Sequence, residues 1–165
     1  MWLPDPFAYL FFGILMKNHD VVIRPYAPGS DLKKLSRIWL DASLLAHPFI
    51  GEQRLLEQRM LIEDQYLPNA ETWVACVDEE PCGFISLLAT FIGGIFVSPA
   101  QQGLGIGRRL ISHALNRKGE LELEVYTDNQ QAVNFYTRLG FEELSRRARD
   151  DHGYAFENAR LRLIG

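Results

Sequence analysis

Cysteine is scarce in this chain, with only Cys76 and Cys82 among 165 residues. They stand six apart in an apolar region without a histidine cluster, so no zinc site is expected. A reducing, cytoplasmic setting is the reading that follows. Basic residues are also in the minority, 17 against 21 acidic, for a net charge of −4. That balance disfavours a general nucleic-acid binder, although a local patch can still hold phosphate. The apolar run Phe7 to Met16 has no charge, but it is only ten residues long. A spanning helix needs about 20, and no Lys or Arg precedes the run as a secretory signal would require. No membrane partner is expected. Residues 1–20 therefore read as an extension outside the fold, with Met16-Lys17-Asn18 as an alternative start. A packing or membrane-surface role for the run is the other reading.

The remainder is ordinary for one globular domain. Domains run to roughly 100–200 residues, and a chain of this size needs no disulfide or metal to stabilise its core. Ten Phe, six Tyr and three Trp are enough for that core. The β-branched stretch 21–26 reads as a strand. Pro28-Gly29-Ser30-Asp31 reads as a turn before an amphipathic helix over 31–46, ended by His47-Pro48. A second helix is expected over 52–66, ended by Pro68. Strands follow at 72–77 and 82–91, then Gly93-Gly94 as punctuation, then a short buried strand 95–97. Helical spacing returns at Ile106, Leu110, Ile111 and Ala114. Leu121, Leu123 and Val125 alternate with Glu120, Glu122 and Glu124, a strand with one polar face. Ala132, Phe135, Tyr136 and Leu139 mark a short helix closed by Gly140. Strands at 141–144 and 154–163 finish the domain, assigned to residues 21–165. Helices separate some strands and hairpins join others, so the class is α/β of the α+β mixed-sheet kind.

Two clusters carry chemistry. The turn Gln102-Gly103-Leu104-Gly105-Ile106-Gly107-Arg108 passes from a strand into a helix. Its glycines permit close backbone approach, and free N–H groups at a helix start favour an anion such as a diphosphate. A dinucleotide G-x-G-x-x-G fails at Arg108, and no P-loop Gly-Lys-Ser/Thr is present. A turn needed only for packing is the plain alternative. The second cluster is Asn129, Ala132, Tyr136, then Gly140-Phe141. Together the clusters resemble the GNAT superfamily of acetyl-CoA-dependent N-acetyltransferases. Residues 102–107 match its Q/R-x-x-G-x-G/A signature, and Asn129 to Phe141 match N-x-x-A-x-x-x-Y followed by G-F. The resemblance spans about residues 21–163 and is nearest to small stand-alone bacterial members.

That resemblance implies a mostly antiparallel sheet splayed between two parallel central strands, flanked by about four helices. It implies acetyl-CoA as donor, with no metal. The backbone of Ile95, Phe96 and Val97 is expected to pair with its pantetheine as an added strand would, one N–H acting as oxyanion donor. The N–H groups of Gln102, Gly103, Leu104, Gly105, Ile106, Gly107 and Arg108 are expected to hold the pyrophosphate. Arg108 or Arg109 adds charge, unless it is simply a solvated helix residue. Asn129 matches a cofactor-contacting asparagine and suits a helix N-cap equally well. Tyr136 matches the tyrosine near the thioester sulfur, a general acid, with a plain core tyrosine as the alternative.

The acceptor side is less defined. Glu124 matches a position where some relatives carry a catalytic Glu, and it is also one of three similar strand glutamates. His47 and Phe49 are expected in the region that closes over acceptors, with Phe91 and Tyr126 as further candidates. His47 is either a base through water or a structural residue. The expected function is acetyl transfer to a primary amine by direct attack. The acceptor is a protein lysine, a protein N-terminus or a small amine, and the state is monomer or homodimer. A catalytically weak acyl-CoA-binding sensor is the alternative, favoured by the lack of a carboxylate at 95–97.

Overall fold

The computed structural model describes residues 21–165, so the expected extension 1–20 lies outside the described residues. A single seven-stranded sheet runs through them in the order β1-β2-β3-β4-β5-β7-β6. The strands are β1 (Val21–Pro25), β2 (Glu71–Val77), β3 (Glu80–Leu88), β4 (Phe91–Val97), β5 (Glu120–Tyr126), β6 (Glu142–Arg147) and β7 (Asn158–Ile164). The helices are α1 (Pro28–Ala46), α2 (Glu52–Leu61), α3 (Ile106–Lys118) and α4 (Gln130–Arg138). β4 and β5 are parallel, and the other pairs are antiparallel. Mixed α/β architecture, the parallel central pair and four flanking helices agree with expectation.

Alternation along the strands feeds two cores. Leu121, Leu123 and Val125 join Ile85 and Leu87 under Ile106, Leu110, Ile111 and Ala114 of α3 and Tyr136 of α4. On the other face Val74, Cys76 and Phe84 meet Leu35, Ile38 and Trp39 of α1 and Leu55 of α2. The glutamates of β5 face away from the α3 core. Glu120 pairs with Arg162 at 2.5 Å, Glu122 with Arg160 at 2.6 Å and Glu124 with Arg147 at 2.8 Å.

Several boundaries differ from the sequence reading. α1 begins at Pro28, not Asp31, because proline loses nothing at the first helical position, where its N–H would be unpaired anyway. Asp31 instead lies buried in the first turn. It accepts the Ala27 N–H at 2.8 Å and both Arg24 Nη groups at 2.7 and 2.8 Å. Pro68 does not end the second helix. A π-helical stretch, Ile62–Tyr66, widens the turn ahead of it, and a last helical turn, Leu67–Asn69, follows. β3 stops at Leu88 and the hairpin turns at Ala89-Thr90, with Ala89 at φ +54°. That left-handed residue is an alanine, so it carried no turn signal. Gly93-Gly94 is inside β4. Ser86 pairs with Gly94 and Leu87 with Ile92, which makes Gly93 an inserted residue, a β-bulge. β6 runs to Arg147, and β7 starts only at Asn158 because 150–156 folds into a turn on Asp150.

Asp31 anchors the helix that carries His47 at its far end. Replacing it by alanine strands the Ala27 N–H and the Arg24 guanidinium together. Asp31→Ala is expected to destabilise the protein by about 2 kcal/mol, read as a lower urea midpoint at unchanged m-value.

Candidate active site

β4 and β5 pair only at Phe91↔Glu122 and Ile92↔Leu123. The bulge at Gly93 follows at once, and β4 then leaves β5. Residues 94–97 of β4 have no β5 partner among the described residues, which leaves a gap in the ladder beside the end of β5. Strand alternation tells which backbone groups face it. The Ser98 N–H donates to the Cys82 carbonyl at 2.8 Å, next to the Val97↔Gly83 pair. Val97 and Ile95 are therefore the positions whose own N–H and C=O turn away from β3, toward the gap. Phe96 is the intervening position. Its backbone is committed to β3, and its ring packs on Trp39 and Phe84 at centroid distances of 6.3 and 5.5 Å. Gly94 leaves room for that ring, since a Cβ there would lie 2.6 Å from Phe96 Cε2.

The glycine turn follows this end of β4 and leads into α3. Gly103 and Gly105 have φ of +79° and +81°, and a Cβ at either would meet open space. Their glycine identity thus serves backbone conformation. Gln102 turns back, its Nε2 donating to the Val97 carbonyl at 3.1 Å. Of the two gap-facing residues, both N–H groups and the Ile95 carbonyl have no partner among the described residues. The first helical bond of α3 is Arg109 N–H to Gly105 C=O, so the N–H groups of Ile106, Gly107 and Arg108 lie in the unpaired first turn. The Arg108 side chain is exposed there, whereas Arg109 reaches the Val21 carbonyl at 3.2 Å and ties β1 to α3. Gly107 lets the Phe135 ring lie against the helix, 3.2 Å from where a Cβ would stand. That packing sets α4 beside the start of α3.

Tyr136 follows Phe135 and is 8% exposed, between the Phe135 and Phe141 rings. Burial raises its phenol well above the usual tyrosine range, so the hydroxyl keeps its proton. At the start of α4, Asn129 Oδ1 caps the Ala132 N–H at 3.2 Å. Its Nδ2 lies 3.2 Å from His47 Nε2, joining the end of α1 to the end of β5. The His47 ring meets Phe49 and Tyr126 edge-on at 5.7 and 5.4 Å. Desolvation lowers the His47 pKa to about 4.

Phe91 is not in this group. It lies at the other end of β4, under the Arg160 guanidinium at 5.4 Å. Glu124 lines a cleft of about 210 Å³ with Ser145, Arg147, Asn158 and Arg160. Its Oε2 holds Arg147 at 2.8 Å, while its Oε1 is 4.0 Å from Arg160. Sequence reasoning missed Asp150 and Phe156. Buried Asp150 accepts the Tyr126 hydroxyl at 2.9 Å and the N–H groups of His152 and Tyr154. Phe156 packs on Phe49 at 5.3 Å. An aspartate ahead of His-Gly is an Asx-turn signal that could have marked Asp150.

Comparison with known proteins agrees with this fold. The family described as an acetyltransferase (GNAT) domain matches residues 68–143. The chain is 37% identical over 116 residues to the peptidyl-lysine N-acetyltransferase YiaC of Escherichia coli, covering 70% of this chain and 80% of that one. The peptidyl-lysine N-acetyltransferase YjaB of Escherichia coli is 33% identical over 134 residues, covering 81% and 90%. The solution structure of apo YjaB superposes with a TM-score of 0.79 over 88% of this chain and 98% of that one. In fold alone, at 17% identity, the chain also resembles yncA of Salmonella typhimurium, solved with acetyl-CoA, with a TM-score of 0.64 over 88% and 94%.

The histidines set a pH dependence. His47 and His113 are both held below 6.5, first by desolvation. Between pH 4 and 6.5 the unfolded chain binds more protons, so stability rises with pH and levels off above 6.5. Asp31, Glu63 and Glu71 have lowered pKa values and give up their stabilisation only below about pH 4.5. The urea-derived stability is thus expected to fall from pH 7 to pH 5 by about 2 kcal/mol through His47 alone, and His47→Gln is expected to remove that part of the slope.

Proposed function

This chain belongs to the GNAT family of acetyltransferases, and from that premise we propose that it acetylates the side-chain amine of lysine in a protein or peptide. The family membership makes it an acetyl-CoA-dependent N-acetyltransferase. The lysine acceptor is supported by its relatives YiaC and YjaB, which are peptidyl-lysine N-acetyltransferases.

One observation carries the donor assignment: β4 leaves β5 with the N–H groups of Ile95 and Val97 and the Ile95 carbonyl unclaimed. A pantetheine arm with its own amides fits such an edge as a further strand. The Cβ-free turn at Gly103 and Gly105 and the unpaired N–H groups of 106–108 suit a pyrophosphate. Once bound, acetyl-CoA supplies an electrophilic thioester carbonyl and a thiolate leaving group. The N–H of Ile95 or Val97 is the donor that polarises that carbonyl. Tyr136 Oη, held protonated by burial, is the proton source for the departing sulfur. A lysine amine has a pKa of about 10.4 and arrives charged. Glu124 Oε1, the oxygen not bound by Arg147, is the proton acceptor on the amine's side. His47 and Phe49 line the acceptor's approach beside Tyr126.

Incubating the protein with acetyl-CoA and lysine peptides is expected to release free thiol and add acetyl to the lysine, read by mass spectrometry. Tyr136→Phe is expected to lower kcat by about a hundredfold while leaving acetyl-CoA affinity nearly unchanged. A variant that turns over like the parent removes Tyr136 from the proton path.

A further inference from the structure

Asn129 has one carboxamide and two duties. Oδ1 caps the α4 N-terminus through the Ala132 N–H at 3.2 Å. Only an oxygen can accept there, so the amide cannot flip without leaving the cap unmade. The group 3.2 Å from His47 Nε2 is consequently Nδ2, a donor with no acceptor capacity. His47 Nε2 must then present its lone pair, and the ring proton sits on Nδ1. Adding a second proton would set Nε2–H against Nδ2–H. Burial opposes that charge too.

Nδ1 has no hydrogen-bond partner among the described residues, yet it is not among their buried unpartnered polar atoms. It is therefore not fully enclosed. The rings of Phe49 and Tyr126 stand edge-on to the imidazole. The carboxylate bound to Tyr126, Asp150, is already engaged by its hydroxyl at 2.9 Å. Tyr126 is on the β5 face that carries Glu124, opposite the core that holds Tyr136. The His47 ring, packed on Tyr126, thus lies on the acceptor's side of the site.

We propose that His47 is a fixed neutral hydrogen-bond donor, its tautomer set by Asn129, and that its Nδ1–H binds a backbone carbonyl oxygen of a peptide acceptor. His47 is then not a proton acceptor: the lone pair it keeps is spent on Asn129. It determines specificity, favouring an amine borne on a peptide over the same amine lacking a carbonyl. The carbonyl's identity rests on the lysine-acetyltransferase reading, whereas the tautomer does not.

Nitrogen-15 NMR of the free full-length protein, with His47→Asn assigning the resonance, reads the tautomer directly. The expected result is protonated Nδ1 and bare Nε2. Asn129→Asp keeps a good helix cap but puts an acceptor opposite the ring, and it is expected to move the proton to Nε2. Protonated Nε2 in the parent, or no change in Asn129→Asp, overturns the tautomer assignment.

Kinetics read the donor role. His47→Ala is expected to raise KM for a lysine peptide by about tenfold, the scale of one hydrogen bond, with less change in kcat. His47→Asn, whose Nδ2–H stands near the Nδ1 position, is expected to restore most of the loss, and His47→Gln is not. With an alkyl diamine that lacks a carbonyl, His47→Ala is expected to raise KM several-fold less than it does with the peptide, and His47→Asn to give no selective recovery. Equal losses for peptide and diamine overturn the carbonyl assignment. Absence of thiol release with any amine overturns the proposed function, and with it the carbonyl, while the NMR result stands by itself.

Discussion

One inserted residue shapes this protein. Gly93 breaks the β3–β4 register between Leu87↔Ile92 and Ser86↔Gly94, and the β4–β5 pairing ends at Ile92. A bulge bends its strand and raises the local twist. The bend here carries β4 away from its parallel neighbour while β3 stays bonded to it on the other side. The cost is a set of unpaired backbone groups in the middle of a sheet. Such groups are unfavourable unless water or a ligand satisfies them. As the proposed docking edge for the acetyl donor, the same groups would turn a weakness of the sheet into the site.

The two faces of the sheet divide the work. α3 and α4 bring the glycine turn and Tyr136 to one face, held together by the Phe135 ring against Gly107. α1 brings His47 and Phe49 to the other, beside Tyr126 and Phe156. The Asn129–His47 contact spans the end of β5 and couples the halves. Its carboxamide is divided between a backbone cap and an imidazole, so the start of α4 and the state of His47 depend on each other. The Arg24–Asp31 pair at the opposite end of α1 fixes where that helix begins.

Much of the fold was legible because its periodicities were strong. The apolar stripe of α3, the alternation of β5 and the N-cap at Asn129 translate directly into structure. The glycine turn was legible because positive φ at 103 and 105 demands glycine. In two misread segments tertiary context overrode a local rule. Ala89 turns a hairpin that no glycine announces, and Gly93-Gly94 resembles punctuation but forms a bulge and a seat for Phe96. In the site, alternation along β4 separates Ile95 and Val97 from Phe96, a distinction that needs the register to Gly83. Asp150 was hidden in a charged stretch that read as a link between strands, and its partner Tyr126 is 24 residues away in sequence.

The gap beyond Gly93 is thus the proposed place where the acetyl donor adds itself to β4. Residue-resolved amide hydrogen exchange, with and without acetyl-CoA, tests it most directly. The Phe96 amide, already bonded to β3, serves as an internal reference. The account predicts new protection at Ile95 and Val97 and across 106–108, with little change at Phe96. Protection that appears elsewhere while Ile95 and Val97 exchange as before would contradict it.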